Sequence, residues 1–155
     1  MSEKTNVMRI LSQKKINYKS YSYDSNQGLS GNDVAKSLNK NENQVFKTLV
    51  TVGKSKEHYV FVIPVNKELN LKKAAKSISE KSISMIKEKE LMPLTGYIHG
   101  GCSPIGMKKF FTTVINETAK DFETIIFSAG KVGYQVEVNI EDLKKVIKFK
   151  LDDIV

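Results

Sequence analysis

The chain has 155 residues, 25 Lys and Arg against 17 Asp and Glu, a formal net charge of +8 at pH 7, and one cysteine. That length suits a single domain, here taken as residues 1–155, with enough chain to bury a core without staples. A lone cysteine excludes an internal disulfide and fits a reducing compartment. No apolar run approaches the ~20 residues that span a bilayer, and MSEKTNVMRI lacks a signal-peptide apolar core. The expected setting is cytoplasmic, without a membrane partner. A basic surface attracts polyanions, nucleic acid first. Arg9 is the only arginine, however, and Asn, Ile and Lys are plentiful together. A biased genome would write the same surface, so charge alone does not decide between the two.

In chain order, Thr5 or Asn6 caps a first helix carrying Val7, Ile10, Leu11 and Lys14, with Asn17 as a stop. YKSYSYD alternates as a strand, placing Tyr21 and Tyr23 on one face. SNQGLSG reads as a loop, and Ser30 as the cap of a short helix with Val34, Ala35 and Leu38. VFKTLVTV (45–52) is a buried strand, GKSKE a hairpin turn, and HYVFVIPV the returning strand. Asn70 caps LKKAAKSI, where Leu71, Ala74, Ala75 and Ile78 form an apolar stripe facing away from Lys72, Lys73 and Lys76. A strand at ISMI, a short helix at KEKEL, strands at FTTVI, TIIFSAG and YQVEV, and a last helix capped by Asn139 with Ile140, Leu143, Val146 and Ile147 complete the pattern. There is no regular βαβ alternation and no Gly-rich phosphate fingerprint. The expectation is an α+β domain around a mixed, barrel-like sheet flanked by helices.

Three places carry candidate chemistry. Lys47 interrupts the most apolar strand, and an ammonium buried there without a partner is costly. It must reach a rim, a carboxylate or a bound anion; snorkelling at a sheet edge is the bland alternative. TGYIHGGCSPIG (95–106) gathers four glycines, Pro104, His99 and Cys102. Gly100 and Gly101 let a ligand approach the backbone, whose N–H groups can hold an oxyanion; a tight inter-strand loop is the plain reading. FSAGKVG (127–133) is a second small-residue turn, with Ser128 at its start. A Cys102 nucleophile would need a base: His99 lies in a segment too glycine-rich to fix their geometry by itself, and His58 is the only other candidate. Two histidines and one cysteine make a poor metal set, so no metal or other cofactor is expected.

Four stretches then coincide, in order, with one family. TGYIHGGCSPIG resembles TGYxxGGxSPxG, VFKTLV an F-K-T-L strand, LNLKKAAKSI an L-N-L-K-K-x-A-K segment, and FETIIFSAGKVG an F-x-T-I-x-x-S-G-G-K-x-G turn. Together they are similar to the YbaK/EbsC family of aminoacyl-tRNA deacylases, nearly end to end. The resemblance implies a trans-editing deacylase that removes a wrong amino acid, chiefly cysteine, from tRNA(Pro). Its partners would be the acceptor end of mischarged tRNA(Pro) and prolyl-tRNA synthetase.

It implies that Lys47 is essential, that Gly100 and Gly101 frame the aminoacyl ester, and that Tyr23, Thr48, Tyr97, Ser103 and Ser128 line the pocket. The nucleophile it implies is the substrate's own thiol, which makes Cys102 incidental. Ala129, His99 and Val132 depart from the family pattern, and the loop from Asp24 to Ser30 is slightly short. Editing of alanine or serine by a backbone-held water stays open as an alternative. So does a non-catalytic binding module, although intact Lys47 and the glycine pair speak against it.

Overall fold

The computed structural model describes residues 4–23 and 31–155. The Ser30 cap and the loop preceding it fall outside the described residues. Helix α1 (Asn6–Gln13) begins where Thr5 Oγ1 accepts the Met8 N–H at 3.3 Å, satisfying one orphan donor of the first turn. It buries Val7, Met8 and Leu11 and ends before the expected Asn17, with Lys15 at φ 59°. Strand β1 (Tyr18–Ser22) and helix α2 (Gly31–Ser37) follow, then the hairpin β2 (Phe46–Gly53) and β3 (His58–Pro64). Helix α3 (Leu71–Ser77) is capped by Asn70 Oδ1, which accepts the Lys73 N–H at 3.0 Å. Next come β4 (Ile83–Met85), α4 (Glu88–Thr95), β5 (Thr112–Asn116), a 3-10 turn (Glu117–Asp121), β6 (Thr124–Ser128), β7 (Tyr134–Asn139), α5 (Ile140–Leu143) and β8 (Lys150–Asp152).

Two elements differ from the sequence pattern. Helix α5 stops at Leu143, yet Val146 and Ile147 still pack on the core. Their spacing reports the buried side of the chain, which a turn meets as well as a helix does. Strand β8 was not expected, because Lys-Leu-Asp has no apolar run; its pairing with β5 alone defines it.

The strands form two sheets, ordered β4-β2-β3-β5-β8 and β1-β7-β6. β3–β5 and β5–β8 are parallel and the other ladders antiparallel, so the mixed α+β expectation holds. The barrel does not close. Among the described residues the sheets meet at one isolated parallel bridge, Val45 to Ile126, while β4 and β8, three residues each, are too short to carry a ladder around the far side.

Side chains alternate across each strand, and this sorts the core. The face between the sheets holds Phe46, Val50, Val60, Val62 and Ile115 against Ile125, Phe127, Val136 and Val138, with α1 over one end. The outer face of the larger sheet buries Phe61, Ile63 and Val114 under Ala74 and Ala75 of α3. A third, smaller cluster joins Ala35 of α2 to Val45, Val65 and Ile126 at the seam.

A polar network stitches that seam. Gln44 Nε2 donates to Thr124 O and Oγ1, both at 3.0 Å, and the Ile126 N–H donates to Gln44 O at 3.0 Å. Thr124 Oγ1 and Tyr21 OH each donate to the Glu137 carboxylate at 2.5 Å. Lys40 Nζ lies 3.9 Å from the same carboxylate and 5.3 Å from the Tyr21 ring centroid. Burial alone would raise the Glu137 pKa; the hydrogen bonds from Thr124 and Tyr21, with the Lys40 charge, hold it below the ordinary value.

A glutamine here keeps one acceptor oxygen and puts an NH2 donor in place of the other, which leaves one of the two hydroxyls without its acceptor, at about 1–3 kcal/mol for a buried group left unsatisfied. Glu137→Gln should therefore lower stability to urea by about 1–3 kcal/mol at pH 7. Because the folded pKa is depressed, the carboxylate's contribution is complete above the unfolded glutamate value and is lost as pH falls through the folded one. The gap between wild type and variant should narrow below about pH 4; a gap that is constant with pH would contradict the assigned charge state.

Candidate functional site

Alternation on β2 sends neighbouring side chains to opposite faces. Phe46 and Val50 belong to the inner cluster and Leu49 to the outer one, so Thr48 points inward and Lys47 outward. Lys47 is half-buried. It follows Val45 of the seam cluster and precedes Leu49 of the α3 cluster, so it emerges between the helix-covered patches of the outer face. Among the described residues no acceptor binds its ammonium.

The parallel bridge fixes what stands beside it. From Val45 and Ile126, β2 and β6 advance in the same direction. Two residues on, Lys47 and Ser128 occupy the same face. The β6–β7 and β1–β7 ladders place Gln135 opposite Ser128 and Tyr21 opposite Gln135. The β1 register extends one residue further, since the Tyr23 N–H donates to Gly133 O at 2.9 Å. Tyr23 thus shares the outer face with Lys47 and Ser128.

Ser128 is buried, and its Oγ accepts the Gly130 N–H at 3.1 Å, which shapes the β6–β7 turn. The glycine segment leans on this turn. A Cβ at Gly101 would lie 3.0 Å from Val132 N and 3.4 Å from Lys131 C, both backbone atoms, so any side chain there would push the segments apart. Gly100 takes φ +87°, which L side chains rarely adopt. The two glycines differ chemically. The Gly101 N–H donates to Ile98 O at 3.0 Å, whereas the exposed Gly100 N–H has no acceptor among the described residues.

The remaining predicted residues sit on the inner side. Thr48 Oγ1 is buried with no hydrogen-bond partner among the described residues. Tyr97 is wedged between Gly106 and Gly130, its hydroxyl donating to Ile105 O, and burial followed by the neighbouring Cys102 pushes its pKa up to about 12. Ser103 is 0% exposed and its Oγ accepts the Ile105 N–H at 3.3 Å. Both hydroxyls brace the glycine segment from beneath. Cys102 is 8% exposed, and burial raises its thiol to about 12, while His99 is exposed and makes no hydrogen bond to it. A thiol this hard to ionise is a poor nucleophile.

The structure adds one residue that sequence reasoning passed over. Gln135 is 6% exposed, lies between Tyr21 and Ser128 on the outer face, and its side-chain amide has no partner among the described residues. Read as a strand, YQVEV singles out neither Gln135 nor Glu137. The available signal was their setting beside the small-residue turn at 128–133.

Among the described residues no cluster of three or more His, Cys, Asp or Glu could hold a metal ion, and no helix is long and apolar enough to cross a membrane. The outer face beside the seam offers the Lys47 cation, the Ser128 and Tyr23 hydroxyls and the Gln135 amide, and the glycine segment packed on the β6–β7 turn offers the open Gly100 N–H: donors for an anion or a carbonyl oxygen, with no ionised cysteine among the described residues.

Residues 27–146 match the family model described as Aminoacyl-tRNA editing domain. A protein of Enterococcus faecalis (strain ATCC 700802 / V583), described as "Putative Cys-tRNA(Pro)/Cys-tRNA(Cys) deacylase EbsC", is 50% identical over 137 residues, covering 88% of this chain and 84% of that protein. Two solved structures superpose with a TM-score of 0.85 at 18% identity. One is described as "a putative trans-editing enzyme for prolyl tRNA synthetase" and is matched over 99% of this chain and 98% of its own. The other, hypothetical protein APE2540, is matched over 96% and 97%. At that identity they share the fold. With the family model spanning most of its length and a half-identical relative, this chain belongs to the aminoacyl-tRNA editing domain family, of the YbaK/EbsC type.

Proposed function

We propose that the protein is a trans-editing deacylase that releases cysteine from mischarged tRNA(Pro). The observation that carries this reading is a set of donors without partners among the described residues, the Lys47 ammonium and the Gln135 amide on one face of the sheets and the Gly100 N–H in the segment packed on the β6–β7 turn, within a member of an editing family. The name of the Enterococcus relative supports it. That name pairs cysteine with two tRNAs, so the aminoacyl ester and the shared 3′ end are what its substrates have in common. The solved relative named for prolyl tRNA synthetase points to that synthetase as the source of the mischarged tRNA.

The chemistry is carried by the substrate. The cysteine thiolate attacks its own ester carbonyl, forming a C–S bond and a tetrahedral oxyanion. The oxyanion collapses with cleavage of the bond to the ribose oxygen, which takes up a proton. The amino acid leaves as a four-membered thiolactone, and water opens it to cysteine. Holding thiol and carbonyl in contact makes the attack intramolecular, and good orientation is worth several kcal/mol of the barrier.

Each residue then has a role. The Gly100 N–H donates to the oxyanion, and Gly101 permits the close approach that its contact with the Val132 backbone demands. Lys47 binds the 3′-terminal phosphate or ribose. Ser128 and Tyr23 border the aminoacyl group on the same face, and Gln135 lies between Ser128 and Tyr21. Thr48, Tyr97 and Ser103 act from the inner side, shaping the floor beneath the ester.

The decisive measurement is amino-acid release from proline tRNA charged separately with cysteine, serine and alanine. Similar size admits all three, but the thiol is the one strong nucleophile near neutral pH. Release from the cysteinyl ester should be fast, rising as pH nears the thiol pKa, and much slower from the other two. Equal rates for cysteine and alanine would instead favour water held by the Gly100 backbone.

Lys47→Ala should lower deacylation at least a hundredfold while changing stability by no more than about 0.5 kcal/mol, since no partner is left unpaired. Near-normal turnover by the folded variant would remove Lys47 from the mechanism. Cys102→Ser should keep activity within a few-fold, and the native thiol should resist alkylation at pH 8 until the protein is unfolded. A thousandfold loss in a folded Cys102→Ser variant would restore the protein thiol as nucleophile.

A further inference from the structure

A cavity of about 710 Å³ lies apart from the residues assigned above, lined by Leu71, Lys72, Ala75 and Lys76 of α3 and by the segment Ser79–Ile83 that leads into β4. Its electrostatics are one-sided. Lys72 and Lys76, four apart on one helix face, and Lys81 are exposed and have no carboxylate partner among the described residues. Lys73 is turned elsewhere, to Asp153 and the carbonyl of Val155 at 2.9 and 2.8 Å. The single acid of the groove, Glu80, is already occupied. Its carboxylate accepts from Ser55 Oγ, from the Ser55 N–H at 3.3 Å and from Tyr59 OH at 2.6 Å. Those bonds pin the groove wall to the β2–β3 turn, as does the Lys54 N–H donating to Ser82 O at 3.0 Å. The floor is apolar, with Leu71 43% exposed beside Ala75 and Ile83.

The groove is in register with the candidate site. α3 covers the face of the sheet toward which Lys47 points. β2 runs from Lys47 to Gly53, where a Cβ would meet the Glu80 carboxylate. Six residues of strand are about 20 Å, a distance that a few base-pair steps of RNA duplex cover. We infer that this groove is a second RNA-binding subsite, taking the phosphate backbone of the duplex stem whose single-stranded 3′ end reaches Lys47. The inference rests on the proposed editing of tRNA for its choice of RNA. The charge complementarity comes from three free lysines spaced along a rigid trough, with serine hydroxyls and an apolar floor beneath them.

The test uses a hairpin RNA with a 3′-CCA tail, uncharged for binding and carrying cysteine for turnover. The variant replaces Lys72, Lys76 and Lys81 by Gln. Its logarithmic salt slope for binding should shrink by about 2–3, near 0.9 per duplex phosphate released. KM for the charged hairpin should rise at least tenfold, with kcat within twofold. A cysteinyl CCA trinucleotide, too short to reach the groove, should be cleaved as by wild type.

A control variant with Lys144, Lys145 and Lys148 replaced by Gln removes equal charge elsewhere and should leave slope and KM unchanged. The inference is overturned by an unchanged slope, by equal losses in both variants, or by a fall in kcat on the trinucleotide. If the wild type cleaves none of the charged RNAs, the editing function fails while the salt slope still decides the groove. If the triple variant does not fold by circular dichroism, Lys76→Gln alone decides, through a slope change of about 1.

Discussion

Among the described residues one parallel bridge, Val45 to Ile126, joins the two sheets, and the positions of the site follow from it. Without a continued ladder, β2 and β6 are held together there by Gln44, Thr124 and the buried Glu137 carboxylate. Glu137 is buried and Gln44 and Thr124 are partly so, and a polar group withdrawn from water costs free energy unless it is satisfied. The network therefore specifies one relative placement of the sheets. From that one bridge, counting two residues along each strand brings Lys47 beside Ser128, and two antiparallel ladders add Gln135 and the end of β1.

A lysine in the middle of an apolar run is tolerable because of where the outer face is left uncovered. α2 packs over the seam cluster and α3 over the cluster around Phe61 and Ile63. Lys47 lies between Val45 and Leu49 on that face and is half-buried, as a long side chain is when it covers apolar surface with its stem and keeps its charge in water. The same geometry separates it from Thr48, one residue on, whose hydroxyl faces the other way and is left without a partner. Adjacent residues in a strand cannot line one surface, and the site uses the pair differently: a charge above the sheet and an orphan hydroxyl below it.

Much of this was legible from the residues alone. The strand pattern of VFKTLVTV and HYVFVIPV and the Asn70 and Asn139 caps each have a local physical cause, and each appears in the structure; of the apolar stripe of α3, Ala74 and Ala75 are buried and Ile78 partly so, while Leu71 is exposed. The unforeseen features are non-local. β8 is a strand through its pairing with β5, and the open seam reflects edge strands too short to complete a barrel. Gln135 and Glu137 are polar residues in a short strand, and nothing local says that they are buried; burial at 6% and 9% is a tertiary fact. The two glycines also looked equivalent, until the Ile98 carbonyl distinguished the bonded N–H of Gly101 from the open one of Gly100.

The division of chemistry in the glycine segment has a physical logic. A protein nucleophile would have to be ionised, exposed to the ester and oriented by a base, and Cys102 meets none of these conditions with its thiol raised to about 12 and His99 out in solvent. What the segment supplies is rigidity. Tyr97 fills the space between two glycines and ties down the Ile105 carbonyl, Ser103 holds the Ile105 N–H, and the Val132 backbone closes against Gly101. A loop braced in this way keeps the Gly100 N–H aimed without relying on any flexible side chain. Under the proposed mechanism the reactive group arrives with the substrate, so that selectivity for cysteine resides in the reaction itself and the pocket has no need to reject alanine or serine by shape.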